Sequence, residues 1–241
     1  MAGSIDSSWR VRPSSGIGKL TERLWRVEGA LPGLSLRRTM TIAKCEHGGG
    51  LVIHSAIALD ESGMQEIEAW GSPLHLVVPG VYHRLDAPAY KQRYPALKVF
   101  TTRGSRAAVE KVVAVDGVYE DFPRDEAVRL HTLPGTGDRE GAMLVRGADG
   151  VSVILNDVVM NMDRKRDVLG FLFTTLMGSA PGPRVSRLAK LALVKDRPAL
   201  RAELERLAAL PDLARLVVAH EKVVNGGAEA RQALRSAASF L

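Results

Sequence analysis

Apolar positions along the first 160 residues come in short runs separated by turn residues, a pattern of strands rather than long helices. Leu36 to Lys44 and Leu51 to Leu59 are β-rich and flank Gly48, Gly49 and Gly50, which predicts a hairpin. From Ser62 to Trp70 the spacing changes to three and four, with Met64 and Ile67 on one face, so a helix is expected there and Gly71 should stop it. Leu74 to Val78 runs almost wholly apolar into Pro79-Gly80, the mark of a buried strand whose C-terminal end is where α/β folds gather ligands. A short helix over 87–94 and strands over 98–101, 128–133, 141–146 and 151–155 complete a mixed order without a strict βαβ repeat.

After Asn156 the period changes. From Asp163 to Leu241 nearly everything reads as helix, broken at Pro181-Gly182-Pro183. Leu200, Leu204, Leu207 and Leu210 form one stripe of an amphipathic helix, Leu213 to Ala219 is a final strand before His220, and Ala228 to Leu241 is a closing helix. With no internal repeat and no low-complexity linker, the expected organisation is one domain over 1–241. Residues 1–30 are read as an N-terminal extension and 163–210 as a helical insertion.

Composition narrows the chemistry. The chain has 241 residues, 46% of them hydrophobic, and a single cysteine, so thiolate clusters are excluded and any metal must be held by His, Asp or Glu. The net charge is +6, and between Arg164 and Arg206 ten Lys and Arg face four Asp and Glu, so this segment carries the whole excess. Such a segment is either a set of solvated helix faces or a site for an anionic partner. No nucleic-acid motif is present and aromatics are 5%, too few for base-stacking platforms, so no nucleic-acid partner is expected. The longest apolar stretch, Val168 to Ala180, is interrupted and falls short of the roughly 20 residues of a spanning helix. The first residues lack the apolar core of a secretory signal, so a cytoplasmic location is expected. Phe171-Leu172-Phe173 beside Arg164, Lys165 and Arg166 fits an interfacial helix on an anionic surface, a lid over a pocket, or a homodimer contact.

Four histidines fall at the ends of predicted strands, His54, His83, His131 and His220, and Asp157 ends another. Convergence of such residues on one rim is how an α/β sheet builds a site; separate histidines satisfied by local hydrogen bonds are the alternative. The order of elements carrying them (GGGLVIHSAIAL, a helix, LHLVVPGVYHRLDAPAYKQRYPALKVF, LHTLPGTGDREGAMLV, SVILND and LARLVVAHEKVVNGG) resembles the metallo-β-lactamase fold over roughly Leu36 to Leu241. More narrowly, it is similar to the DUF4336 branch of that superfamily, in which the metal motif is eroded. The resemblance implies an α+β, four-layer αββα sandwich with a helical insertion before the last strand.

Carried over residue by residue, the His-x-His-x-Asp-His motif of active members falls on Val78, Gly80, Tyr82 and His83, and the later motif histidine falls on Thr136. The bridging aspartate corresponds to Asp157 and the last histidine to His220. The resemblance therefore implies a metal set of His83, Asp157 and His220, suited to one zinc or iron ion, and argues against a dinuclear centre. His54 stands where active members have an aspartate that supports the ligands, as a supporting residue or a substitute ligand. Tyr82, in place of a ligand carboxylate, either bonds Asp157 or substrate or fills the vacated metal volume. Asp86 faces the same cavity or caps the helix beginning at Ala87. His131, Asp138 and Glu140 lie near the turn that lost its ligand, while His47 and His75 read as structural or exposed. Three functions follow: a mononuclear metal-dependent hydrolase of a small ester, lactone, thioester or phosphoester, with an anionic substrate suggested by the charge; a non-catalytic binding module; and a peripheral protein of anionic surfaces.

Overall fold

Two sheets carry the chain in the computed structural model, which describes residues 6–241. The first follows chain order: β1 (Gly18–Lys19), β2 (Leu24–Leu31), β3 (Leu34–Lys44), β4 (Gly50–His54), β5 (Ser72–Val78), β6 (Lys98–Thr101) and β7 (Gly117–Val118). Its connections hold α1 (Glu61–Trp70), α2 (Ala87–Arg93) and α3 (Arg106–Val109). β1 to β4 pair antiparallel and β4 to β7 parallel, the parallel half being where crossover helices are required. The second sheet has β8 (Val128–Thr132), β9 (Gly141–Gly147), β10 (Gly150–Leu155), β11 (Leu213–Val217) and β12 (Val224–Asn225), in that order across it. Between β10 and β11 lie α4 (Val168–Phe171), a π turn over Leu172–Leu176, α5 (Arg187–Ala192) and α6 (Arg197–Ala208); α7 (Gly227–Ala238) closes the chain.

Alternation along the strands sorts the core into layers. In β4, Leu51 and Ile53 face a cluster shared with Met64 and Ile67 of α1 and Tyr90 of α2, while Val52 points the other way. Val52 joins Val77, Phe100, Met143, Ile154 and Val217, which come from both sheets and fill the space between them. On the far side, Val153 and Leu155 of β10 and Leu216 of β11 pack under Leu200, Leu204 and Leu207 of α6 and Leu234 of α7. The result is the expected four layers, helix, sheet, sheet, helix. Each fully buried leucine or isoleucine stabilises the stack by about 1.5–3 kcal/mol.

The local signals that place these elements are legible. Asp60 caps α1 by accepting from the Gly63 N–H at 2.9 Å. At its end Gly71 turns extended, and only glycine fits there because a Cβ would lie 2.3 Å from the Gly49 carbonyl.

Several expectations are corrected. The first 30 residues are no appendage: β1 and β2 belong to the first sheet, and the Trp9 indole donates to the Leu59 carbonyl at 2.7 Å. The strand expected to reach Leu59 stops at His54, because Ser55 takes a left-handed φ of +59°. The region after Asp163 is less helical than its composition suggests, since 178–186 and 193–196 are irregular and β12 follows β11.

His131 belongs to a structural pair rather than a site. Its Nε2 lies 2.9 Å from Glu203 of α6, which also accepts from Arg206 at 2.7 and 2.9 Å. Burial alone would raise the Glu203 carboxyl, but Arg206 and His131 hold it down at about 2. A depressed carboxylate adds stability above its unfolded pKa, lost as pH falls through the folded one. Glu203→Gln is therefore expected to cost about 1–2 kcal/mol at pH 7, with the gap to wild type closing between roughly pH 4.5 and 2 in urea titrations.

Candidate metal centre

β10 and β11 are parallel neighbours, Ile154 opposite Val217, so their C-terminal ends emerge together and bring Asp157 beside His220. In the first sheet β4 and β5 are likewise parallel, His54 opposite Val77, and their ends deliver Ser55 and the loop carrying His83. The two sheets thus present four side chains at one rim. His83 Nε2 lies 2.9 Å and His220 Nε2 3.3 Å from the same oxygen, Asp157 Oδ1. One donor atom from each of the three lies within 4.8 Å of the other two. All three residues are buried, between 6% and 8% exposed.

The outer ring nitrogens are tethered. His220 Nδ1 donates to the Arg37 carbonyl at 2.7 Å, and since a carbonyl only accepts, Nε2 carries the lone pair a metal would take when the ring is neutral and donates to Asp157 when the ring is protonated. His83 Nδ1 pairs with Ser55 Oγ at 2.7 Å. Such outer contacts fix ring orientation at metal sites. Both tethers sit beside strained backbone, since Ser55 (φ +59°) and Glu221 (φ +63°), next to His220, are non-glycine residues in the left-handed region. Burial alone would raise the Asp157 carboxyl, but His83 and His220 pull it below the usual carboxylate range; burial would lower His220, and Asp157 raises it instead. Two oriented imidazoles and one carboxylate fit zinc or ferrous iron with open positions. Ser55→Ala is expected to weaken zinc binding by about 10–100-fold with the fold intact, checked by competition against a chromophoric chelator.

The remaining candidates lie around this group without joining it. His54 is buried on the face of β4 that looks between the sheets, its Nε2 without a partner among the described residues. Burial, reinforced by His83, lowers its pKa to about 3 and keeps it neutral. Tyr82 is 66% exposed at the rim of a cavity and makes no hydrogen bond to Asp157, so it does not fill a vacated metal volume. Asp86 occupies the cap position of α2 without capping it; its buried carboxylate pairs with Arg38, Arg12 and the Ala58 N–H. Asp138 lies on a turn with φ +56°, its carbonyl accepting from the Gly104 N–H at 2.7 Å. His75 is wedged edge-on against Phe100 and Phe122, and His47 lines a separate surface groove.

Two residues the pattern did not single out complete the surroundings. Asn156, fully buried, sits with Glu140 behind Gly80, and the two side chains lie against each other there. Burial and the Asp157 charge push the Glu140 carboxyl well up, towards its neutral form. Arg38, 4% exposed, forms part of the cavity wall; its signal was a charged position on the inward face of an apolar strand. The cavity itself, about 280 Å³, opens over His83, Asp157 and His220.

No family model and no curated protein matches the sequence. Solved structures do. A metallo-β-lactamase from Hirschia baltica aligns over 95% of this chain and 98% of its own, with a TM-score of 0.63 at 15% identity. The chain has the metallo-β-lactamase fold. A metallo-β-lactamase from Erythrobacter litoralis, with β-mercaptoethanol in its active site, matches at TM-score 0.63 and 15% identity over 93% of this chain and 96% of its own. Another from Pseudomonas aeruginosa, in a mono-zinc form, gives 0.59 and 12% over 97% of each. On a metallo-β-lactamase scaffold, then, this chain gathers a His/Asp/His group where its two sheets meet. No described helix is long and apolar enough to cross a membrane.

Proposed function

We propose that this chain is a hydrolase with a mononuclear centre at His83, Asp157 and His220, acting on a small ester, lactone, thioester or phosphoester. The observation that carries this reading is the convergence of the three donors with both outer ring nitrogens already held. A zinc or ferrous ion bound there would lower the pKa of a water and polarise the scissile group. Asp157 and the two imidazoles bind; Ser55 and the Arg37 carbonyl orient. Tyr82, at the rim, is assigned to positioning substrate, and neutral His54 to supporting His83 from behind.

A single ion, rather than two, is supported by what occupies the other half of the motif. Val78 is packed in the helix-side core with Leu76. At Gly80 a Cβ would stand 2.8 Å from Glu140 Oε1 and 3.2 Å from Asn156 Nδ2, so that space belongs to other side chains. Thr136 is buried and its hydroxyl donates to the Leu133 carbonyl at 2.7 Å. With no imidazole or carboxylate at these three positions, we propose a degenerate motif of the kind the DUF4336 resemblance implies. The anionic substrate suggested by the net charge finds no uncommitted Lys or Arg among the described residues of the cavity wall, since Arg38 is engaged by Asp86 and the Ala56 carbonyl, so the uncharged esters, thioesters and lactones are favoured over an anionic phosphoester.

One observation favours the second reading, a binding module without turnover. Apart from the three ligand candidates, Tyr82 and Arg38 are the titratable groups among the described residues of the wall, so no carboxylate or imidazole outside the ligand group faces the cavity there. Assay of the zinc- and iron-loaded chain against a panel of esters, lactones, thioesters and phosphoesters decides between them. Turnover abolished by chelation supports the hydrolase; stoichiometric metal with no turnover on any class supports the module.

A further inference from the structure

The wall of the cavity speaks about what enters it. Leu31, Leu34 and Leu36 come from the β2–β3 hairpin and Leu188, Ala192 and Leu193 from α5 and its end, so the space lies between two aliphatic surfaces. Of its polar groups besides the His83, Asp157 and His220 cluster, Arg38 is already paired, the Ser186 hydroxyl accepts from the Ala189 N–H at 3.0 Å, and Tyr82 stands at the rim. The apolar character continues outward. Leu34, Leu85 and Leu188 line the cavity and are also 38–41% exposed, with Tyr82 beside them. Large aliphatic side chains left in water around a cavity mouth mark a surface that an apolar ligand covers.

We propose that the cavity is a subsite for an unbranched acyl chain, so that the substrate is a chain-bearing ester, thioester or lactone with its carbonyl at the metal end and its methylenes between the hairpin and α5. The inference rests on the reading of the His/Asp/His group as the reacting end, but the chain subsite is measurable without it. A volume of about 280 Å³ sits at the lower edge of the roughly 300–1,000 Å³ of ligand pockets, which suits one chain rather than a multi-ring molecule. Each methylene moved from water into an aliphatic slot contributes about 0.8 kcal/mol, or about fourfold in affinity.

The test uses the metal-free full chain and a series of uncharged, non-hydrolysable probes, the methyl ketones from 2-pentanone to 2-decanone, titrated by calorimetry. Affinity is expected to rise about three- to fourfold per methylene until the cavity is filled. Ala192→Phe, which occupies the slot, should weaken 2-octanone binding by more than about tenfold, and Leu188→Ser at the rim by several-fold. Leu191→Ser, next to Ala192 on α5 but outside the cavity lining and 83% exposed, should leave it unchanged. If Ala192→Phe fails to fold by circular dichroism, Leu188→Ser decides. Absence of binding, affinity independent of chain length, or equal binding by the lining variants overturns the proposal. Chain-length-dependent binding in a protein that takes up no metal removes the hydrolase and keeps the subsite. Metal uptake with no ketone binding does the reverse.

Discussion

His220→Ala leaves a folded protein that no longer retains zinc or iron through gel filtration. Three donors hold the ion in this account, and removing one leaves an imidazole and a carboxylate, too few for a stable first-row metal site. Loss of an outer contact alone costs 10–100-fold in metal affinity, so loss of a ligand is expected to exceed about 100-fold. His83→Ala should match it. His54→Ala should not, because His54 lies outside the group whose donor atoms converge. Metal analysis alongside circular dichroism checks all three. Full retention of metal by His83→Ala and His220→Ala would place the site elsewhere.

Arg38→Met is expected to destabilise the fold by about 3 kcal/mol, the low end of the 3–5 kcal/mol for breaking a buried ion pair. Arg38 and Asp86 are 4% and 5% exposed and pair directly, tying β3 to the start of α2 directly behind the cavity wall. Removing the guanidinium leaves a buried carboxylate with only Arg12 at 3.0 Å and the Ala58 N–H at 3.0 Å, and leaves the Ala56 carbonyl without the donor it has at 2.8 Å. Those two remaining partners are why the low end applies. Urea denaturation measures the loss, and Arg38→Met combined with Asp86→Leu should recover most of it, since the penalty lies in the orphaned charge rather than in the missing pair. A loss below about 1 kcal/mol would mean that Arg12 alone satisfies Asp86.

Strand and helix positions were legible wherever a single period ran between turn residues. The hairpin of β3 and β4 around Gly48 to Gly50, α1 with its stop at Gly71, and β5 before Pro79 all follow that rule. β2 was missed although Trp25, Arg26, Val27 and Glu28 alternate apolar and charged positions, because the segment was read only as an extension; in the sheet Arg26 and Glu28 pair with each other, largely buried. The end of β4 was misplaced because Ala56 to Leu59 is as apolar as a strand, and only the left-handed Ser55 turns the chain out of the sheet. That same turn brings Ser55 onto His83, a contact no spacing rule contains.

The candidate ligands were legible through the resemblance and through strand ends, since parallel neighbours must release their next residues at one rim. What surrounds them was not. Glu140 and Asn156 reach Gly80 across two loops, and Arg38 meets Asp86 from 48 residues away. Such contacts depend on register between sheets. Asp86 had the sequence context of a cap and its backbone sits as one, yet the buried guanidinium outcompetes the helix N–H groups for its carboxylate.

The His83, Asp157 and His220 group is expected to hold one metal ion per chain. Plasma mass spectrometry on the 241-residue chain, purified without chelator and then dialysed against zinc or, anaerobically, ferrous iron, counts the ions. Saturation at about one equivalent is expected. Two equivalents would restore a dinuclear centre through donors not identified at Val78, Gly80 or Thr136, and none would leave the His83, Asp157 and His220 group a hydrogen-bonded cluster without a metal.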